Sequence, residues 1–196
     1  MGTDKALLRL VSGGPTLIER VVAAARAVAE DMVVVAEDAG QLPPMGVRTV
    51  PDAIAGAGPL AGLVAGFAAA HHADILALAC DLPYLSMPLL QWMAALPRTW
   101  DALVPYHPND DGKTGWEPLH AIYTRACLAP MRVALDRGDR QATAFFPTIN
   151  VHPLTADAMR PYDPLDRSTE SVNTPEAWAE AVRWLANRPD VILRGE

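Results

Sequence analysis

The chain has little of several residue types, and each shortage excludes a class of function. Its 196 residues include two cysteines, Cys80 and Cys127, far apart and outside any CxxC pair, so we expect buried thiols rather than a disulfide or metal cluster. Lysine and arginine number 16 against 23 aspartates and glutamates, a formal net charge of −7, which argues against nucleic-acid binding. No run approaches the roughly 18 apolar residues that span a bilayer, and no basic segment with an apolar signal core opens the chain. These shortages predict a cytoplasmic protein that binds neither nucleic acid nor membrane.

Two further absences narrow the chemistry. The sequence contains no GxxxxGK phosphate loop, and it suggests no Ser-His-Asp or Cys-His arrangement. A P-loop nucleoside triphosphatase and a hydrolase with a covalent nucleophile are therefore disfavoured. The histidines show no recognisable zinc-binding spacing. A small ligand that carries phosphate stays open, because such sites depend on local donors rather than on net charge.

The central feature of the sequence is the run from Ile75 to Leu85, ILALACDLPYL. Its first six residues are apolar and are bounded by Asp74 and Asp81, which predicts a strand buried on both faces. Asp81 then follows the carboxyl end of a strand, where open α/β sheets bind their ligands. A carboxylate in that position is well placed to hold a divalent cation. The alternative, from this stretch alone, is that Asp81 caps a helix.

Predicted strands and helices alternate along the chain with short connections. Helices are expected over about 16–30, 59–71, 88–96 and 175–185, the last capped by Asn173 or Thr174; strands are expected over 32–36, 47–50, 75–80, 102–106 and 148–152. This alternation is typical of a doubly wound α/β domain. No repeat, linker or low-complexity segment interrupts it, so we expect one domain over residues 1–196.

The candidate site residues lie where the predicted strands end. In chain order they are Lys5 in a Gly-Thr-Asp-Lys turn, Asp52, the Gly56–Gly62 turn, Asp81, Glu117 and Asn173. A cation, a carboxylate suited to metal and a glycine turn that lets backbone approach a ligand predict a site that handles phosphate. Plainer interpretations stay open: a solvated lysine, a turn aspartate, glycines needed only for tight packing and a helix cap at Asn173.

Six short motifs occur in a fixed order: MGTDKALL, VPD (50–52), GPLAG (58–62), ACDLPYL, EPLHAIY (117–123) and VNTPEAW (172–178). Together they resemble the molybdenum cofactor guanylyltransferases of the nucleotidyltransferase superfamily, over nearly the whole chain. The resemblance implies a three-layer α/β/α Rossmann-like fold with a mostly parallel sheet. Asn173 before Thr-Pro favours the guanylyl branch over the related cytidylyltransferases, which tend to carry an acidic residue there.

The resemblance implies transfer of GMP from GTP to molybdopterin, with magnesium as cofactor and pyrophosphate released. Since the nucleophile would be an ionised phosphate, catalysis would reduce to positioning and charge neutralisation. It also implies transient contact with other proteins of the molybdenum cofactor pathway. By similarity, Lys5 would neutralise triphosphate charge and Asp81 would hold magnesium. Asp52 and the Gly58–Gly62 turn would line the nucleotide pocket. The residues nearer the acceptor would be Glu117, His120 and Asn173.

The chain also departs from the family pattern. The family usually begins with a strand and a loop of the form LAGGxSxRMGxDK, whereas this chain begins at the final MG. We therefore expect an exposed sheet edge or groove and weak GTP binding, with a misassigned start favoured over a truncated protein. Glu37 and Asp38 stand where an Asn is frequent, and a carboxylate there can still accept guanine N–H groups. Ser171 replaces the first Asn of F-N-V-N-T-P. Two alternatives remain: a nucleotidyltransferase for a cytidylyl or sugar-phosphate substrate, and a non-catalytic nucleotide-binding remnant.

Overall fold

The computed structural model describes residues 5–52, 54, 56–108 and 115–187. After a 3₁₀ turn at Lys5–Leu7, the helices and strands follow the predicted order, with an additional strand, β5, that the sequence analysis did not predict. The elements are α1 (Leu17–Ala25), β1 (Val33–Val35), β2 (Arg48–Val50), α2 (Pro59–Ala69), β3 (Asp74–Leu78), α3 (Met87–Ala95), β4 (Ala102–Tyr106), β5 (His120–Thr124), α4 (Leu128–Asp136), β6 (Val151–Thr155), α5 (Ala156–Met159) and α6 (Pro175–Ala186). In the described ranges, no helix is long and apolar enough to cross a membrane.

Local capping fixes where α1 and α6 begin. The Thr16 hydroxyl accepts the Glu19 amide at 3.3 Å while the Glu19 carboxylate accepts the Thr16 amide at 2.7 Å, which is a reciprocal capping box. At α6 the cap is Thr174, whose hydroxyl accepts the amide of Ala177 at 3.1 Å. The alternative that Asn173 caps this helix is therefore wrong, and its side chain is available for another contact.

The strands form two sheets. β1 and β2 pair in parallel, and the second sheet has the order β3-β5-β4-β6. β4 and β6 are also parallel, whereas β5 runs antiparallel to both β3 and β4. The parallel pairs agree with the expected Rossmann-like arrangement. β5 departs from it because it pairs antiparallel with both of its neighbours, and antiparallel pairing needs no crossover connection.

Alternate residues of the second sheet face two helical layers. On one face, Ala121 and Tyr123 of β5 pack with α2 and α4 around Phe67 and Phe145. On the other face, Ile122 packs with α3 and α5 in a separate apolar cluster. Since successive side chains of a strand point to opposite faces, this pattern gives the three-layer α/β/α arrangement that the sequence predicts.

β3 is less buried than its apolar sequence predicts. Ile75 through Leu78 are only partly buried. Ile75 and Ala77 pack against one apolar cluster and Leu76 against the cluster on the opposite face, so both faces are covered, but less completely than predicted. Among the described strands, β3 pairs only with β5 and β1 pairs only with β2. Both strands line a cleft of about 1020 Å³ that separates the two sheets. An apolar run indicates that a strand prefers burial but does not supply the neighbours that would bury it.

Candidate active site

Asp81 lies three residues beyond β3 and does not cap the next helix. α3 begins at Met87, and its cap is Ser86, whose hydroxyl accepts the amide of Leu89 at 3.4 Å. The helix-cap alternative for Asp81 is therefore wrong. The backbone carbonyl of Asp81 accepts the Val172 amide at 3.0 Å. This bond joins the end of β3 to the segment that precedes α6.

Lys5 and Asn173 meet across the length of the chain. The Lys5 ammonium donates to Asn173 Oδ1 at 2.5 Å although 168 positions separate the two residues. Asn173 directly follows Val172, which is bonded to Asp81. The structure thus brings together three residues that the sequence placed at one site.

Glu117 lies in the turn that leads into β5. Its amide donates to the Pro105 carbonyl at 3.0 Å and its carbonyl accepts the His120 amide at 3.1 Å, so the turn is firmly held between β4 and β5. Burial, followed by the charge of Asp81, raises the pKa of the Glu117 carboxyl to about 7. The charge of Asp81 thus acts on the Glu117 carboxyl, which relates Glu117 electrostatically to the group formed by Lys5, Asp81 and Asn173.

The carboxylates of Asp81 and Glu117 offer few ligands for a metal ion. In the part of the chain that the structure describes, no group of three or more His, Cys, Asp or Glu side chains could hold a metal ion. Two carboxylates suit a cation such as Mg²⁺, which keeps several waters and binds through one or two carboxylates plus phosphate oxygens. They do not suit zinc, which wants four protein ligands in a structural site or three in a catalytic one.

His120 is turned away from solvent. The residue is only 1% exposed, and its Nε2 lies 3.0 Å from the Ser168 hydroxyl. Burial lowers the pKa of His120 to about 4, so the ring is neutral at physiological pH. The sequence placed His120 near the acceptor, but its observed contact is with the protein itself.

Asp52 and Gly62 form the other part of the candidate site. A Cβ at Gly62 would lie 3.2 Å from Asp52 Oδ1, so a side chain there would crowd the carboxylate. Burial, and then the charge of Glu37, raises the pKa of Asp52. Gly62 and Asp81 both line the cleft between the sheets. The cleft therefore extends from Gly62, which lies beside Asp52, to Asp81.

The two carboxylates that follow β1 differ in what they contact. Asp38 accepts the Gly40 amide at 2.9 Å and the Gln41 side-chain amide at 2.8 Å, and these bonds lower its pKa. Asp38 thus closes its own turn. Glu37 is exposed and interacts electrostatically with Asp52. Of the two, Glu37 is the better placed to accept a ligand's N–H groups.

Gly58 meets backbone rather than an open pocket. It has a φ of +78°, and a Cβ there would lie 3.1 Å from the Arg140 carbonyl oxygen. The same oxygen accepts the Leu60 amide at 3.3 Å. Packing therefore accounts for this glycine, as one of the sequence alternatives held, and its contact with a nucleotide stays a prediction.

Sequence reasoning missed three polar residues behind the site: Asp163 and Ser168, which are buried, and Ser86, which is half-buried. Their hydrogen bonds connect the end of β3 to the chain between α5 and α6. The stretch 160–172 shows no helical or strand periodicity. A connection of that length in a compact protein usually has a function or its own internal contacts, and this was the available signal.

Comparison with known proteins places the chain among nucleotide transferases. A family model described as a MobA-like NTP transferase domain matches residues 1–152. A probable molybdenum cofactor guanylyltransferase of Chloroflexus aggregans is 34% identical over 176 residues, which is 89% of this chain and 84% of that protein. One from Pelotomaculum thermopropionicum is 30% identical over 92% of this chain and 85% of that protein.

Two solved structures resemble the fold. The molybdopterin-guanine dinucleotide biosynthesis protein A from Archaeoglobus fulgidus gives a TM-score of 0.78 at 23% identity, over 95% of this chain and 92% of that chain. The 2-C-methyl-D-erythritol 4-phosphate cytidylyltransferase from Thermus thermophilus gives 0.67 at 19% identity, over 93% and 94%. At these identities the likeness establishes the nucleotidyltransferase fold.

Proposed function

The chain belongs to the MobA-like NTP transferase family, and on that premise we propose that it transfers GMP from GTP to molybdopterin and releases pyrophosphate. The observation that carries the proposal is the alignment with a protein named for guanylyl transfer over 89% of this chain. The grouping of Lys5, Asp81, Glu117 and Asn173 supports it, because these side chains suit a phosphate substrate. One domain over residues 1–196, a cytoplasmic location and transient contact with other pathway proteins stay predictions.

On the nucleotide side, charge and shape decide what can bind. The Lys5 ammonium supplies positive charge for the triphosphate. Asp52 and Glu37 present carboxylates, which accept the N–H groups of a guanine edge. Gly62 keeps the approach to Asp52 open, since its Cβ position lies 3.2 Å from the carboxylate.

The fold family implies a magnesium ion, and the residues fit one. The charge of Asp81 helps raise the pKa of Glu117, so the two carboxylates repel each other, and a divalent cation would relieve that repulsion. Asp81 would hold the ion, and Glu117 is the carboxylate whose pKa the charge of Asp81 raises. When bound, Mg²⁺ would supply charge neutralisation on the triphosphate.

The remaining work is positioning. The attacking phosphate of molybdopterin is ionised at neutral pH, so the protein needs no general base. Lys5 offsets the negative charge around the reacting phosphates, while Asn173 holds the Lys5 ammonium through a 2.5 Å hydrogen bond. Fixed donors of this kind stabilise developing charge without reorganisation at the moment of reaction.

The test is a transfer assay with GTP and with CTP, on the wild type and on Asp81→Asn. We expect GTP to be used, and we expect Asp81→Asn to lose magnesium-dependent transfer by about 100-fold or more with an unchanged unfolding midpoint. Asp74→Asn is the matched control at the opposite end of β3, where Asp74 pairs with Arg98 at 2.9 Å, and it should keep full activity.

Each outcome has a separate meaning. Turnover retained by Asp81→Asn would refute the metal assignment. Activity only with CTP would point to a cytidylyltransferase. No transfer by the wild type, together with GTP binding in a calorimeter, would point to a nucleotide-binding protein without this activity.

A further inference from the structure

Ser168 is fully buried in a connection that is otherwise mostly exposed. The residue is 0% exposed, whereas Pro164, Leu165 and Asp166 before it and Glu170 and Ser171 after it are exposed. A buried hydroxyl in a loop is costly unless its hydrogen bonds are made. The contacts of this one residue therefore decide where the loop lies.

The amide and the hydroxyl of Ser168 are both engaged. Its amide donates to Asp163 Oδ2 at 2.8 Å, and its hydroxyl oxygen accepts the Ser86 amide at 3.0 Å. His120 Nε2 lies 3.0 Å from the same oxygen. Because the His120 ring is neutral, the Ser168 hydroxyl can donate its proton to Nε2, while His120 Nδ1 stays buried without a hydrogen-bond partner among the described residues. One side chain thus joins the chain after β3, the start of β5 and the connection to α6.

The residues that follow Ser168 reach the candidate active site. We call residues 168–173 the tethered segment. The Thr169 hydroxyl lies 3.1 Å from His107 Nε2 beyond β4, the Val172 amide donates to the Asp81 carbonyl at 3.0 Å, and Asn173 accepts from Lys5 at 2.5 Å. The first two contacts lie just beyond the carboxyl ends of β4 and β3, and the third reaches the 3₁₀ turn at Lys5–Leu7. A shift at Ser168 therefore moves a short stretch of chain whose far end holds Lys5.

We propose that Ser168 is a positioning residue, which uses its buried hydroxyl to hold the tethered segment so that Asn173 orients Lys5 beside Asp81. The expected effect on catalysis rests on the proposed function, whereas the role of Ser168 in holding the segment does not. Ser168 touches no substrate in this account. His120 is its partner: the turn that carries Glu117 also carries His120, through the 3.1 Å backbone bond between them. The same hydroxyl thus sets the Glu117 turn relative to Asn173.

The first measurement does not need activity. In Ser168→Ala, hydrogen exchange of the Val172 amide should become at least about tenfold faster, because the segment opens more often, while amides within α6 should exchange at the wild-type rate. Thr148→Val is the matched control, since it removes a hydroxyl bond of similar kind, 2.7 Å to the Phe145 carbonyl, outside the segment. It should leave Val172 exchange unchanged. Equal exchange in Ser168→Ala and the wild type would overturn the proposal.

The second measurement is a double-mutant cycle in the transfer assay. Ser168→Ala and Asn173→Ala should each lower kcat about tenfold, and the double variant should be no slower than Asn173→Ala alone. A merely structural role would give losses that multiply, and that result would overturn the proposal. If Ser168→Ala does not fold, Ser168→Cys retains a side chain of the same shape, slightly larger and with a weaker hydrogen bond, and should show the same two effects at smaller size.

The two measurements also separate this proposal from the proposed function. A wild type that transfers no GMP refutes the function, while the Val172 exchange still decides whether Ser168 holds the segment. Faster exchange with multiplying losses in the cycle would mean that Ser168 holds the chain but does not act through Asn173, and the positioning role would be rejected.

Discussion

Acidification should destabilise this protein through His120. Burial of the ring lowers its pKa from 6.5 to about 4. The unfolded chain takes up this proton near pH 6.5, but the folded chain does so only near pH 4. Between these values the unfolded state binds more protons, so the free energy of unfolding decreases as the pH falls. The contribution is complete above about pH 6.5 and is lost as the pH passes through the folded pKa.

The size of the effect follows from the two pKa values. Each pKa unit corresponds to about 1.4 kcal/mol, so lowering the pKa from 6.5 to about 4 corresponds to about 3 kcal/mol. No discount for solvent is needed, since the residue is 1% exposed. For a protein with the usual stability of about 5–15 kcal/mol, this is a substantial fraction.

The assay is urea unfolding of the wild type and His120→Gln between pH 7 and pH 4. Glutamine can still accept from the Ser168 hydroxyl but does not titrate. We expect the stability advantage of the wild type over the variant to shrink by about 3 kcal/mol over this range. His152→Gln, at an exposed position of β6, is the control and should show no such change. A wild-type advantage that is equal at both ends of the range would refute the reasoning.

Three further changes test other parts of the structure. The free energy of unfolding of the wild type should fall by about 1–2 kcal/mol as the pH rises from about 5 to 8, because the pKa of the Glu117 carboxyl is raised to about 7 and its ionisation destabilises the folded state; this figure is reduced for partial exposure. Glu117→Gln should not show this fall. The same pH dependence of unfolding in both proteins would contradict the prediction. Gly115→Ala should lower the free energy of unfolding by about 2 kcal/mol or more, measured by thermal unfolding, since the added Cβ would overlap the His107 backbone. The control is Gly66→Ala in α2, where the Cβ would make only an ordinary van der Waals contact, and it should keep or raise the melting temperature. Thr16→Ala should cost about 1 kcal/mol through loss of the capping box, and an unchanged urea midpoint would argue against that role.

Local sequence determined the elements that depend on near neighbours. The cap at Thr16, the proline at the first position of α6 and the apolar periodicity of α1 act over a few residues, so the elements that they mark could be predicted. The strand at 102–106 was predicted with the bounds of β4. α1 is shorter than predicted and ends at Ala25, since helical ends are weakly encoded.

The position of Asp81 followed from sequence because a strand end is a local property. An apolar run bounded by Asp and Pro marks where a strand stops, and the end of a strand in an α/β sheet is where ligands bind. What sequence could not decide was whether Asp81 caps a helix. The structure answered this by starting α3 at Met87 with Ser86 as its cap.

Burial of β3 and the contacts of the site needed the tertiary structure. The apolar run predicted a strand buried on both faces, yet its exposure depends on whether another strand lies beside it, and the cleft lies there instead. The Lys5–Asn173 bond joins residues 168 positions apart, and the raised pKa of Glu117 needs both burial and Asp81. The sequence by itself determined which side chains stand at the strand ends, because each is set by its own segment. Only the tertiary structure decided which of them meet, because hydrogen bonding and burial depend on chain segments whose separation no local pattern records.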